Sequence, residues 1–189
     1  MVSAILEGRK TQTRRVVKNS INLLHEHGNP VQLYADWPLS RLRSFADGVA
    51  EFEIQCAVDD TDYERTKCPF GIPGDRLWVR ETFLDDGETK DRPQYVYRAD
   101  NENYPRNEGQ NWKPSIFMPR AASRILLEIT SVRVERLRDI MDEDAQKEGY
   151  GPETTFHATD WFEQIWIGIN GPESWDQNPW VWVIEFKRI

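Results

Sequence analysis

Cysteine and histidine are scarce, with two and three among 189 residues. Cys56 and Cys68 stand too far apart for a CxxC pair, and His25, His27 and His157 are scattered, so neither a zinc site nor any other metal centre is expected. Long apolar runs are missing as well. No window approaches the eighteen residues that a membrane-spanning helix needs, and the N-terminus lacks a cationic stretch, an apolar run and a small-residue cleavage site. The expectation is a cytoplasmic protein with no membrane partner. Positive charge is in deficit: 24 Lys and Arg against 32 Asp and Glu leave a net charge of −8, which argues against gripping duplex nucleic acid on a broad basic face.

Against that acidic background one stretch stands out. A short apolar helix (Val2, Ala4, Ile5, Leu6) ends at Gly8 and runs into RKTQTRR, so that Arg9, Lys10, Arg14, Arg15 and Lys18 fall within ten residues. This cluster has enough charge for one phosphate or a short single strand. A solvated charged loop accounts for the same charges. Lys10 and Thr13 form a candidate nucleophile pair, because a threonine hydroxyl needs a neighbouring base and a lysine amine serves once neutral. The surrounding arginines disfavour a further positive charge on Lys10. In a regular strand the two side chains point to opposite faces, so the pair needs a turn between Gly8 and Thr13.

Thr11 to Val17 suits a strand, after which the pattern dissolves until about Lys67. The 18–67 segment reads as an insertion into a single 1–189 domain, with one hairpin around Val49 to Val58. A turn at Gly71 to Asp75 precedes a strand starting near Arg76, a further strand is expected at Gln94 to Ala99, and Asp100 to Pro119 reads as a long loop. Arg124 to Leu137 is the longest strand. Its alternation slips from Ile125, Leu127 and Ile129 to Val132 and Val134, which predicts a bulge near Thr130 and Ser131.

Met141 to Glu148 reads as an acidic helix stopped by Gly149, and Asp160 to Ile169 as a helix carrying Trp161, Phe162, Ile165, Trp166 and Ile169 at helical spacing. WVWVIEFKRI is a closing strand too apolar for a free edge. Asp142, Glu143 and Asp144 suit the start of their helix, whereas Glu148 sits at the unfavourable end and needs another partner. The fold expected is α+β, a small mixed β-barrel with a few peripheral helices.

AILEGRKTQTRR, GDRLWVRE, DAQKEG and the terminal WVWVIEFKR together resemble, in that order, the four signatures of the ASCH family, whose members are PUA-like β-barrels associated with RNA and modified nucleosides. KPSIFMPRAASRI and NPWVW further resemble a phage and prophage branch often labelled morphogenetic protein. The likeness covers both ends and most of residues 68 to 189. It implies the amidohydrolase activity of some bacterial members, which remove the acetyl group of N(4)-acetylcytidine with a Lys, a Thr and a Glu that fall here on Lys10, Thr13 and Glu148.

In that scheme Thr13 attacks the acetyl carbonyl, Lys10 takes its proton, and Glu148 orients the lysine or protonates the leaving amine. Arg15 or backbone amides near Thr11 stabilise the oxyanion. Arg9, Thr11, Arg14, Arg15, Trp112 and Arg120 are the candidate substrate contacts, with Trp112 the stacking candidate, and no cofactor is expected. The partner implied is a modified nucleoside or single-stranded RNA. Other readings are a non-catalytic reader of modified bases, a ribonuclease, which the lack of a histidine near GRKT disfavours, and a phage structural role. Two departures stand out: the chain begins at the helix where relatives begin with a strand, and Ala121 replaces an aromatic residue.

Overall fold

The computed structural model describes residues 1–18, 39–55, 61–86, 94–100, 111–151 and 154–189. His25, His27 and Cys56 lie outside them. The elements run α1 (Val2–Leu6), β1 (Gln12–Val16), β2 (Leu39–Ala46), β3 (Val49–Gln55), β4 (Thr61–Lys67), β5 (Arg76–Trp78), β6 (Phe83–Asp85), β7 (Tyr95–Tyr97), β8 (Leu126–Arg136), α2 (Asp142–Lys147), α3 (Ala158–Asn170) and β9 (Trp180–Arg188), with short 3-10 turns between several of them. This is a mixed α+β fold with a curled, half-barrel antiparallel sheet. Among the described residues no helix is long and apolar enough to cross a membrane.

The principal sheet has the order β1-β9-β8-β5, so the closing strand lies between two neighbours, as its apolar character demands. Successive side chains of a strand point to opposite faces, and β9 uses both faces. Trp182 and Ile184 enter one core with Ile129, Val132 and Val134 of β8, and with Ala50 and Phe52 of β3. Val181 and Val183 enter a second core with Leu137, Ile140, Ala145, Ala158, Phe162 and Trp166, beneath α2 and α3. The bulge in β8 falls between Ile129 and Ser131. It resets the parity so that residues 127 and 129 before it and 132 and 134 after it all reach the α1 and β3 side.

The 39–67 region contains more structure than the one hairpin expected. β2, β3 and β4 form a three-stranded antiparallel sheet, and its first turn is the dipeptide Asp47-Gly48, with φ of 51° and 75°. Positive φ at both central residues is the two-residue hairpin turn for which Asp-Gly is preferred. The sheet packs through Phe52 against Trp180, ring centroids 5.5 Å apart. The strand expected at Gln94 to Ala99 is present as β7, and its partner β6 is an addition.

Two local features position the cluster after α1. The Lys10 amide donates to Ala4 O and the Thr11 amide to Lys147 O, which ties the segment to the ends of α1 and α2. Gly149 then closes α2 with φ 104°, and a Cβ placed there would lie 3.1 Å from Ala4 Cβ and 3.2 Å from Lys10 Cβ. The Gly149→Ala protein is expected to lose about 1–3 kcal/mol of stability, measured by urea denaturation, since it takes both the backbone strain and the crowding against Lys10.

Candidate active site

β1 is an edge strand, and its alternation divides the cationic cluster. Gln12 pairs with Glu185 and Arg14 with Val183, so both point to the side covered by α2 and α3. Thr13 and Arg15 point to the other side. Lys10 precedes the strand and forms an isolated bridge with Glu148. Its side chain is buried, and its Nζ donates to Glu148 Oε2 at 2.7 Å, to Glu148 O at 2.9 Å and to Gln12 O at 2.9 Å. Burial pushes the Lys10 ammonium below its ordinary range, opposed by the attraction of Glu148 and aided by the charges of Arg15 and Arg14. Glu148 thus finds the partner that its place at the C-terminal end of α2 requires.

Arg14 belongs to the same assembly but lies beneath it. Its guanidinium is fully buried and meets Asp144 at 3.0 Å, Glu135 at 3.2 Å and Glu148 at 3.4 Å. Arg133 adds a second cation, 2.9 Å from Asp144 and 2.7 Å from Glu185, and it also pairs with Glu135. Gln12 sits within this network, where turning its side-chain amide lets it donate to both Asp144 and Glu185 and accept from Arg14. These alternating charges satisfy one another, which is the condition for burying them at all.

The Asp144 carboxyl is pushed up by burial, but the hydrogen bond and charge of Arg14, with Arg133 and Lys147, outweigh that and hold it below its ordinary 3.8. A carboxyl lowered in the folded state contributes stability above its unfolded value, and that contribution is lost as pH falls through the folded one. Stability is therefore expected to fall as pH drops below about 3.8. The fall is expected to be shallower in Asp144→Asn, as checked by urea midpoints along a pH series.

Above this network lies a cavity of about 660 Å³. Lys10, Glu148 and Thr13 all line it, together with Arg9, Arg14 and Arg15. The half-buried Thr13 is hydrogen-bonded through Oγ1 by Arg15 Nη1 at 2.9 Å, whereas Lys10 directs its protons to Glu148 and Gln12. The expected pair is therefore brought to one cavity without a direct bond between its members, because β1 alternation turns Thr13 away from the buried side.

The opposite wall is α3, where Trp161, Ile165 and Ile169 recur every four residues beside the more buried Phe162 and Trp166. Trp161, read from spacing as packing, thus supplies the cavity's half-buried aromatic edge. The signal lay in the sequence: α3 carries an apolar stripe wider than its buried contacts use.

The remaining candidates divide between the cavity wall and other places. Arg9 lines the cavity, but its guanidinium is engaged with Glu7 and with the carbonyls of Gly149 and Tyr150. Arg14, expected as a substrate contact, is instead the buried hub of the ion network. Thr11 lies on a neighbouring groove with Gln146 and Lys147. Trp112 and Arg120 are not in the cavity wall; the first stands beside the Lys113 bridge to Phe83, and the second lies over Trp78. Comparison with family profiles, with curated proteins and with solved structures found no match for the chain.

Proposed function

We propose that the chain is an amidohydrolase acting on an acylated cytidine of the N(4)-acetylcytidine type, as its resemblance to the ASCH family implies. The observation that carries this reading is the meeting of Lys10 and Thr13 with the sequence-distant Glu148 at one cavity, the residues that the resemblance singles out for this chemistry. The cavity's size and its apolar α3 wall suit a nucleobase, and Trp161 offers a ring for stacking.

The reaction uses a neutral Lys10, which burial favours. The Thr13 hydroxyl attacks the acetyl carbonyl and its proton passes to Lys10 Nζ, once the lysine has turned from its present acceptors toward Thr13. Arg15, already bonded to Thr13 Oγ1, faces the negative charge that develops on the carbonyl oxygen. Collapse breaks the carbon–nitrogen bond as Lys10 returns the proton to the exocyclic nitrogen, and cytidine leaves. Water then attacks the acetyl ester of Thr13, giving one proton to Lys10, which passes it back to Thr13 Oγ1 as acetic acid departs and loses its remaining proton to solvent. Glu148 keeps Lys10 aimed throughout.

A reader that binds the modified base without turnover is the second reading. It is favoured by the three hydrogen bonds already holding Lys10 Nζ, which tie up all three ammonium protons. Incubating purified protein with N(4)-acetylcytidine and assaying cytidine and acetate separates the two: product formation supports the enzyme, and binding without product supports the reader.

A further inference from the structure

Among the described residues Glu148 is the one carboxylate in ion-pair contact with Lys10, and it does not serve the lysine alone. Its Oε2 takes the Lys10 ammonium at 2.7 Å, while its Oε1 faces Arg14 Nη1 at 3.4 Å. All three side chains are buried. One negative group is therefore shared by two positive ones in a place that water screens poorly.

Arg14 is fixed in this row from its other side. Its Nη2 is held by Asp144 at 3.0 Å and by Glu135 at 3.2 Å, and its guanidinium carbon lies 5.8 Å from the centre of the Phe162 ring in the cavity wall. A guanidinium keeps its charge throughout the range in which a lysine titrates. It thus acts on Lys10 in two ways: it anchors the carboxylate that aims the lysine, and its like charge opposes the ammonium. The other surroundings of Lys10 leave this balance in place. Arg15 of β1 also opposes the ammonium, Arg9 is paired with Glu7, and Lys147 of α2 faces Asp144 and Glu185. Met1, Ser3, Ala4 and the α3 residues of the cavity wall carry no ionisable side chain.

We infer that Arg14 is a positioning residue for Lys10: it grips Glu148 from beneath, so that the carboxylate aims the lysine while a second cation claims part of its charge, and Lys10 is held in place without being locked as an ammonium. The bearing of this on catalysis rests on the amidohydrolase reading, in which Lys10 accepts the Thr13 proton. The effect on Lys10 itself does not rest on it.

The test is an NMR titration of the Lys10 side chain in the full chain made with isotope-labelled lysine, its signal identified by its loss in Lys10→Gln. Arg14→Met is expected to raise the Lys10 midpoint by at least about one pH unit, because Glu148 then answers to one cation instead of two. Asp144→Asn keeps the shape of the side chain and relieves Arg14 of one carboxylate. It is expected to move the midpoint the other way, down by roughly 0.5 unit. A merely structural Arg14 predicts a different pattern, since loosening the site by either substitution would admit water and raise both midpoints toward the ordinary lysine value. The proposal is overturned if Asp144→Asn raises the midpoint or leaves it unmoved, a result that holds whether or not Arg14→Met folds. It is equally overturned if a folded Arg14→Met titrates as the wild type does. Cytidine release from N(4)-acetylcytidine, followed over the same pH series, is expected to shift its inflection in the same two directions. Absence of turnover by the wild type rejects the amidohydrolase reading alone and leaves the titration to decide the role of Arg14.

Discussion

The Thr13→Ala protein is expected to bind N(4)-acetylcytidine and to release cytidine at least roughly 10³-fold more slowly than wild type, because it lacks the hydroxyl proposed as the nucleophile. This variant is cleaner than Lys10→Ala. Thr13 is half-buried and among the described residues its side chain bonds only Arg15, so its loss strands no charge there. Removing Lys10 strips Glu148 of its 2.7 Å partner in a buried setting and confounds chemistry with folding. Thermal melting of Thr13→Ala is expected to match wild type within a few degrees, and Thr13→Ser is expected to retain part of the rate. Because Lys10 acts when neutral and burial lowers its pKa, the wild-type rate should rise tenfold per pH unit up to that lowered value and then level. A rate indifferent to pH, or an unimpaired Thr13→Ala, rejects the mechanism.

Replacing Arg14 by Met is the larger structural experiment. The side chain fits the space, yet Asp144, Glu135 and Glu148 are left facing one another with one cation fewer. A loss of about 3–5 kcal/mol is expected from urea denaturation at neutral pH, the scale for breaking a buried ion pair from one side. Acidification should narrow the gap, since protonated carboxyls no longer repel and the wild type meanwhile loses its own pairing. Arg14→Lys is expected to recover only part of the loss, because one ammonium cannot span three carboxylates as a planar guanidinium does. A neutral-pH stability equal to wild type would mean that the remaining cations, Arg133, Lys10 and Lys147, suffice to hold the network.

How much of this was legible in the sequence depended on whether periodicity survived. β9 and β8 were readable because alternation persists along them, and even the β8 bulge announced itself as a change of parity. β2 was not: register shifts between Leu39 and Arg41 and between Leu42 and Ser44 scramble its period, and β4 is an edge strand rich in charge. Asp47-Gly48 was the usable signal there, a two-residue hairpin turn ahead of the strand where the hairpin was expected. For the site, motif spacing delivered Lys10, Thr13 and Glu148 to one cavity. It could not say that Arg14 would be buried, because the parity of β1 sets that and depends on which face α2 and α3 cover. It also favoured Trp112 over Trp161, since an aromatic residue in a loop resembles a contact while one in a helix resembles packing.

The pairing of β1 with β9 has a consequence in time. Gln12 meets Glu185 and Val16 meets Val181, so among the described strands the one that carries Thr13 is hydrogen-bonded only to a partner far along the chain. Closing so long a loop is slow, and local turns and hairpins such as β2–β3 are free to form earlier. The cationic stretch is therefore among the last segments to acquire its native surroundings. Protection of its amides from hydrogen exchange during refolding should appear late, together with that of β9.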